Sequence, residues 1–220
     1  MFLQQITTLL NSSDPQHRMR GITELRGHSA EDAVPLLKLR MFDSEFLIRS
    51  FVAMGLGHKK TEEGYEALLD IIARETDMNV IAEAANSLAM YGDRALPHLE
   101  AVFKQHPHWL VRQSIFAALE DFDCPALLLD LCQIGYEGED PVVRQISVAV
   151  LQKLADTPWQ EDAIALLLKA ADAEDGLVRA EVAQALRYFS GSQAEAALNK
   201  LRGDADYRVI GATLEGLLQL

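Results

Sequence analysis

One short pattern returns seven times along the chain, and it restricts what the chain can become. A residue able to cap a helix is followed, four positions on, by an arginine and then by an Ala- and Leu-rich stretch. The copies read DPQHR at 14–18, EFLIR at 45–49, DMNVI at 77–81, HWLVR at 108–112, DPVVR at 140–144, DGLVR at 175–179 and DADYR at 204–208. The arginine slot is thus Arg18, Arg49, Ile81, Arg112, Arg144, Arg179 and Arg208, at spacings of 31, 32, 31, 32, 35 and 29 residues. A fixed period of this length signals stacked repeats, because one short supersecondary unit cannot bury its own apolar face and needs neighbours.

The residues downstream set the local structure. Four positions after the slot stand Ile22, Ala53, Ala85, Phe116, Val148, Ala183 and Ala212. Seven positions after it stand Leu25, Leu56, Leu88, Leu119, Leu151 and Leu186, with Glu215 in the last copy. Offsets of four and seven share one face of an α-helix. A second apolar segment precedes each copy: Ile6–Leu10, 33–41, 64–73, 94–103, 125–132, 163–170 and 194–201. The expected fold is all-α: a right-handed α-solenoid of about seven helical hairpins, forming a single repeat domain over residues 1–220.

Asp14, Asp77, Asp140 and Asp175 suit the N-cap of each second helix. Pro35, Pro97 and Pro125 suit a first turn, where a missing N–H costs little. Gly27, Gly57 and Gly92 fall where second helices should end. The extra residues between copies five and six, around Asp156 to Trp159, predict a lengthened turn. The repeated charges predict a structural ladder. In it, Arg18, Arg49, Arg112, Arg144, Arg179 and Arg208 reach an acid or carbonyl of the adjoining unit, with Asp14, Asp140 and Asp175 among the acidic members. The planar guanidinium suits two hydrogen bonds at once.

With these residues in view, the chain resembles HEAT repeats, and its short unit resembles the subclass found in phycobilisome lyase subunits and related cyanobacterial proteins. The resemblance covers nearly all of the 220 residues. It implies one of two functions. Some members of the subclass are implicated in attaching bilin pigments to antenna proteins. Others are adaptors, one cyanobacterial type being a partner of an A-type iron–sulfur assembly protein. No catalytic motif of the lyases carries over to residues here.

Composition narrows the partners. With 20 Lys and Arg against 33 Asp and Glu, the net charge is −13. A nucleic-acid backbone or an anionic membrane demands the opposite sign. Residues 1–10 show no secretory leader pattern, and no stretch is apolar enough to predict a membrane span. Cys124 and Cys132 predict reduced thiols in a cytoplasmic protein. His106 and His108 flank a turn and predict an exposed loop, not a metal site. The acidic pairs Asp121 and Asp123, Glu139 and Asp140, and Glu174 and Asp175 fall in predicted turns, where solvation and capping explain them. Neither HExxH nor GxSxG nor a Gly-rich phosphate loop is present. No cofactor and no metal are expected.

The working surface is expected on the second helices, along the concave side of a solenoid. Positions two and five after the slot give Arg20 and Thr23, Phe51 and Met54, Glu83 and Asn86, Ser114 and Ala117, Ile146 and Ala149, and Glu181 and Gln184. Phe51, Met54 and Ile146 are apolar where a solvated strip is normally polar, which marks a contact surface. Glu24, Glu83 and Glu181 would steer a basic partner towards it. Trp109 and Trp159 predict hairpin plugs or contact aromatics. Leu214, Leu217, Leu218 and Leu220 predict an apolar terminal edge. The expected function is non-catalytic protein binding as an adaptor or assembly factor, with an iron–sulfur assembly protein or a phycobiliprotein as candidate partners. The alternative is a phycobilin lyase subunit or pigment chaperone.

Overall fold

A computed structural model describes residues 1–215, which fall into two compact units divided between Phe122 and Asp123. The first unit contains α1 (Leu3–Leu10), α2 (Pro15–Glu24), α3 (Ala30–Lys38), α4 (Phe46–Lys59), α5 (Glu62–Arg74), α6 (Met78–Ala89), α7 (Leu96–Gln105) and α8 (Trp109–Ala118). The second contains α9 (Pro125–Glu137), α10 (Pro141–Val150), α11 (Gln160–Ala170), α12 (Gly176–Leu186), α13 (Ser192–Leu201) and α14 (Tyr207–Leu214). Each odd-numbered helix packs on the even-numbered helix that follows it, giving four hairpins and then three. The even-numbered helices also pack in series, α2 on α4 on α6 on α8, and α10 on α12 on α14. This is the all-α, α-solenoid pattern. Among the described residues no strand is present, and no helix is long and apolar enough to cross a membrane.

The second helices start where a side chain can satisfy the free backbone N–H groups of the first turn. Asp14 accepts from the Gln16 N–H at 2.9 Å, Asp77 from Asn79 at 2.9 Å, Asp140 from Val142 at 2.9 Å and Asp175 from Leu177 at 2.8 Å. His108 performs the same task through Nδ1, accepting from the Leu110 N–H at 3.2 Å. The helices then bury the face marked by the repeat. Leu25, Leu56, Leu88, Leu119, Leu151 and Leu186 are all inaccessible to solvent and fill the layer between successive hairpins.

The seventh copy sits two residues later than the DADYR reading placed it. Asp206, not Asp204, caps α14, accepting from the Arg208 N–H at 2.9 Å. Residue 210 therefore occupies the slot, 31 residues after Arg179, and it is Ile210. Burial agrees: the residue just before the slot is buried in copies two to six (Ile48, Val80, Val111, Val143, Val178), although His17 in the first is exposed, and here it is Val209. In this register the seven-residue offset falls in the sequence on Leu217 and not on Glu215. Leu217, Leu218 and Leu220 lie outside the described residues, and Leu214 is exposed.

Two helix boundaries also differ from the expected ones. Ser29 caps α3 by accepting from the Asp32 N–H, so that helix begins a turn early and Pro35 lies inside it. Gly57 does not end α4, which continues to Lys59 and stops where Lys60 adopts φ 50°. Gly57 is required by proximity instead. A Cβ there would lie 2.7 Å from Ser87 Cβ and 2.9 Å from Ser87 Cα, so the glycine lets the backbones of α4 and α6 approach. Gly92, at φ +77°, does make the turn expected of it.

Candidate protein-binding face

The repeated arginines first account for themselves structurally. Arg18 Nε and Nη2 donate to the two carboxylate oxygens of Asp43, both at 2.8 Å. Arg49 donates in the same way to Glu75 at 2.6 and 3.0 Å, and Arg179 to Asp204 at 2.8 Å twice. The third nitrogen of each turns back to its own unit, donating to the carbonyls of Ser12 and Ser13, of Asp43 and Ser44, and of Ala173 and Glu174. Each guanidinium thus closes the turn before its own helix and bridges to the following hairpin.

The carboxylates that receive these arginines are not Asp14, Asp140 and Asp175, which are occupied as caps. They stand two residues before the next cap; Asp43 and Glu75 lie outside the repeated motif, and Asp204 occupies the place in it that belongs to the cap Asp206. Burial alone would raise the pKa of Asp43 and Glu75. The arginine, together with backbone N–H groups from Glu45, Thr76 and Asp77, outweighs it and holds both below the ordinary carboxylate range. The Arg179 bond, then the Asp206 N–H, lowers Asp204 likewise. Where the slot is Ile81, the matching acceptor position is His106, whose pKa is pushed down by burial. Donor and acceptor are therefore absent together. Arg112 donates to the Phe103 carbonyl at 3.2 Å and lies over its ring at 4.7 Å. Arg144 is exposed and donates to its own unit's Gly138 carbonyl at 2.8 Å. Arg208 is exposed and pairs with the adjacent Asp206, bringing that carboxyl down to about 2.

The outward face of the second helices carries the candidate surface. In the first unit Phe51 and Met54 are 38 % and 37 % exposed, a large apolar area left open on α4. They flank a pocket of about 210 Å³ between α2 and α4. Its apolar wall is completed by Ile22, Leu25 and Leu37, with Gly55 letting the Leu37 side chain pack against α4, since a Cβ there would lie 3.0 Å from Leu37 Cδ1. The rim is basic: Arg26, His58 and Lys59. Lys59 Nζ is held by the carbonyls of Arg26 and His28 at 3.1 and 2.6 Å. Further along, Glu83 is half-buried, and burial raises its pKa despite the Ser87 hydroxyl and the His58 charge. Asn86 is exposed at the edge of an open depression between α6 and α8 that also contains Asp93 and Asp121.

In the second unit Ile146 and Glu181 are half-buried and Gln184 is exposed. Burial pushes the Glu181 carboxyl up. Trp159 caps the start of α11 with its ring partly exposed. Trp109, in the first unit, begins α8 partly exposed, stacked on His108 with ring centroids 5.8 Å apart. Cys132 is buried, which raises its thiol pKa, and Cys124 is half-buried at the start of α9. Among the described residues no group of three or more His, Cys, Asp or Glu side chains is placed to hold a metal ion.

Hairpins stacked through a shared Leu layer and an arginine ladder define a helical-repeat protein. The family model for HEAT repeats matches residues 38–120 and 128–218, and the chain belongs to the HEAT-repeat family. Among solved structures it is similar to YibA of Escherichia coli, with a TM-score of 0.64 and 17 % identity over 100 % of this chain and 85 % of that one. It is also similar to the complex of CpcE and CpcF of phycocyanin lyase from a Nostoc species, with a TM-score of 0.53 and 20 % identity over 97 % of this chain and 94 % of that one. At these identities the likeness is one of fold. No curated protein matches it in sequence.

Proposed function

We propose that the chain is a non-catalytic adaptor that binds another protein through the outward face of its second helices, in a cytoplasmic setting. The observation that carries this is the exposure of Phe51 and Met54 on either side of an apolar pocket. Large side chains open to water on a repeated face favour a contact surface. HEAT repeats suit the task, since they present rows of helices with freely varied outward positions. The partner candidates remain an A-type iron–sulfur assembly protein and a phycobiliprotein. The test is capture of partners by the purified chain and by the Phe51→Glu, Met54→Glu double variant. Loss of a partner with the helical signal and unfolding midpoint intact supports the reading. Unchanged capture by a folded variant removes it.

A second reading is a phycobilin lyase subunit or pigment chaperone, favoured by the likeness in fold to the CpcE–CpcF complex. Mixing the chain with bilin and apo-antenna protein separates the two. Covalent pigment transfer overturns the adaptor reading, and a shifted bilin spectrum without transfer indicates a chaperone.

A further inference from the structure

The chain carries a net charge of −13, yet no Asp or Glu is among the residues lining the pocket between α2 and α4. Its polar rim consists of Arg26, His58 and Lys59. Arg26 stands in the short 3₁₀ turn after α2, is exposed, and among the described residues its guanidinium makes no hydrogen bond or ion pair. Lys59 is anchored by two backbone carbonyls, which fixes its charge at the rim. Glu83, half-buried on α6, interacts with the His58 charge but is not among the residues lining the pocket. An apolar slot with fixed cations at its mouth is complementary to a carbon side chain followed closely by carboxylate.

We propose that this pocket receives the Leu-, Ile-, Met- or Phe-type side chain of a partner segment whose next one or two residues are Asp or Glu, paired by Arg26 with Lys59 and His58 beside it. The proposal rests on the reading of this face as protein-binding and names the chemistry of its partner. The anchor enters the pocket between Ile22, Phe51 and Met54. The acidic chain as a whole repels such a segment at long range, but that repulsion is screened beyond about 8 Å at physiological salt, so the rim decides at contact.

The experiment uses the full chain with ¹³C-methyl methionine and follows the Met54 methyl resonance. Two capped octapeptides serve as probes, alike except that one reads Leu-Glu-Glu and the other Leu-Lys-Lys at its centre. The expected result is a saturable shift of Met54 with the acidic peptide at roughly millimolar Kd or tighter. The lysine peptide is expected to bind at least about tenfold more weakly. Arg26→Glu, at an exposed side chain, should weaken the acidic peptide at least about tenfold while the circular dichroism is unchanged. Thr23→Trp, which closes the pocket mouth without changing charge, should abolish the shift. No shift with the acidic peptide, equal binding of the lysine peptide, or indifference to Arg26→Glu overturns the proposal. If the Phe51→Glu, Met54→Glu variant still loses its captured partner, the binding face stands and only the chemistry assigned to it falls.

Discussion

Replacing Asp43 by Ala tests the arginine ladder where it is most buried. The Arg18 and Asp43 side chains are 9 % and 3 % exposed and share two hydrogen bonds of 2.8 Å. Asp43 also accepts from the Glu45 N–H at 3.1 Å. The variant leaves a guanidinium charge out of water without its counter-charge, although Arg18 keeps the carbonyls of Ser12 and Ser13 at 3.1 and 3.0 Å. Breaking a buried pair on one side costs about 3–5 kcal/mol, and the two surviving bonds place this case at the lower end, about 3 kcal/mol. Urea denaturation followed by circular dichroism should move by about 1–2 M for an ordinary m-value. The double variant with Arg18→Ala should cost less than the sum of the singles by about 2 kcal/mol, because each single change orphans the other partner. Arg144→Ala is the internal control: one exposed bond to Gly138, expected within about 1 kcal/mol. If Asp43→Ala moves the midpoint no more than Arg144→Ala, or if the coupling is near zero, the ladder does not hold the hairpins together.

Gly57→Ala should destabilise by about 1–3 kcal/mol in urea denaturation, because its methyl group would lie 2.7 Å from Ser87 Cβ and force α4 and α6 apart. Gly211→Ala, with nothing among the described residues within 4 Å of the added methyl, should instead stabilise by about 0.5–1 kcal/mol through helix propensity. Ile81→Arg with His106→Asp should be more stable than Ile81→Arg alone, since it supplies both halves of the missing rung; equal midpoints would show that the rung cannot form. In pH titrations of stability two opposed limbs are expected. Asp43, Glu75 and Asp204 have depressed folded pKa values, so their contribution is complete above the unfolded carboxylate range, about 4, and is lost as pH falls through the folded values. Burial raises Glu83 and Glu181 above the ordinary carboxylate value, so their penalty at neutral pH is relieved as pH falls through those raised folded values, and Glu83→Gln should flatten that upper limb.

The fold was legible because the repeat and the helix period reinforce each other. A leucine seven residues after each slot can serve one face only, and that face is the buried one in the six copies that carry it. The ladder was half legible. Its arginines recur inside the quoted motif, but their partners lie 25 or 26 residues away, in the next hairpin. A signal did exist: Asp43 and Glu45, Glu75 and Asp77, Asp204 and Asp206 are acids two apart, the first taking the arginine and the second holding the helix-start position. Treating only one acid of each pair as meaningful is what displaced the seventh copy, since Asp204 stood in for Asp206.

The outward face was legible only at its repeated positions. Offsets of two and five select Phe51 and Met54 because an α-helix turns them away from the stack. Arg26 and His58 stand eight and nine residues after their slots, where α2 has already passed into a 3₁₀ turn and α4 still runs as helix. No fixed offset describes side chains placed by helix ends of different length. The consequence is chemical. The α2–α4 groove is rimmed by Arg26, His58 and Lys59, whereas the α6–α8 depression carries Asp93 and Asp121 at matching ends. Repeated positions build the rows of helices, while helix ends and turns give the α2–α4 and α6–α8 grooves opposite sign. On the proposed reading of this face, its selectivity follows these rim charges, so exchanging Arg26 for Glu should alter which charged segment binds without moving a single hairpin.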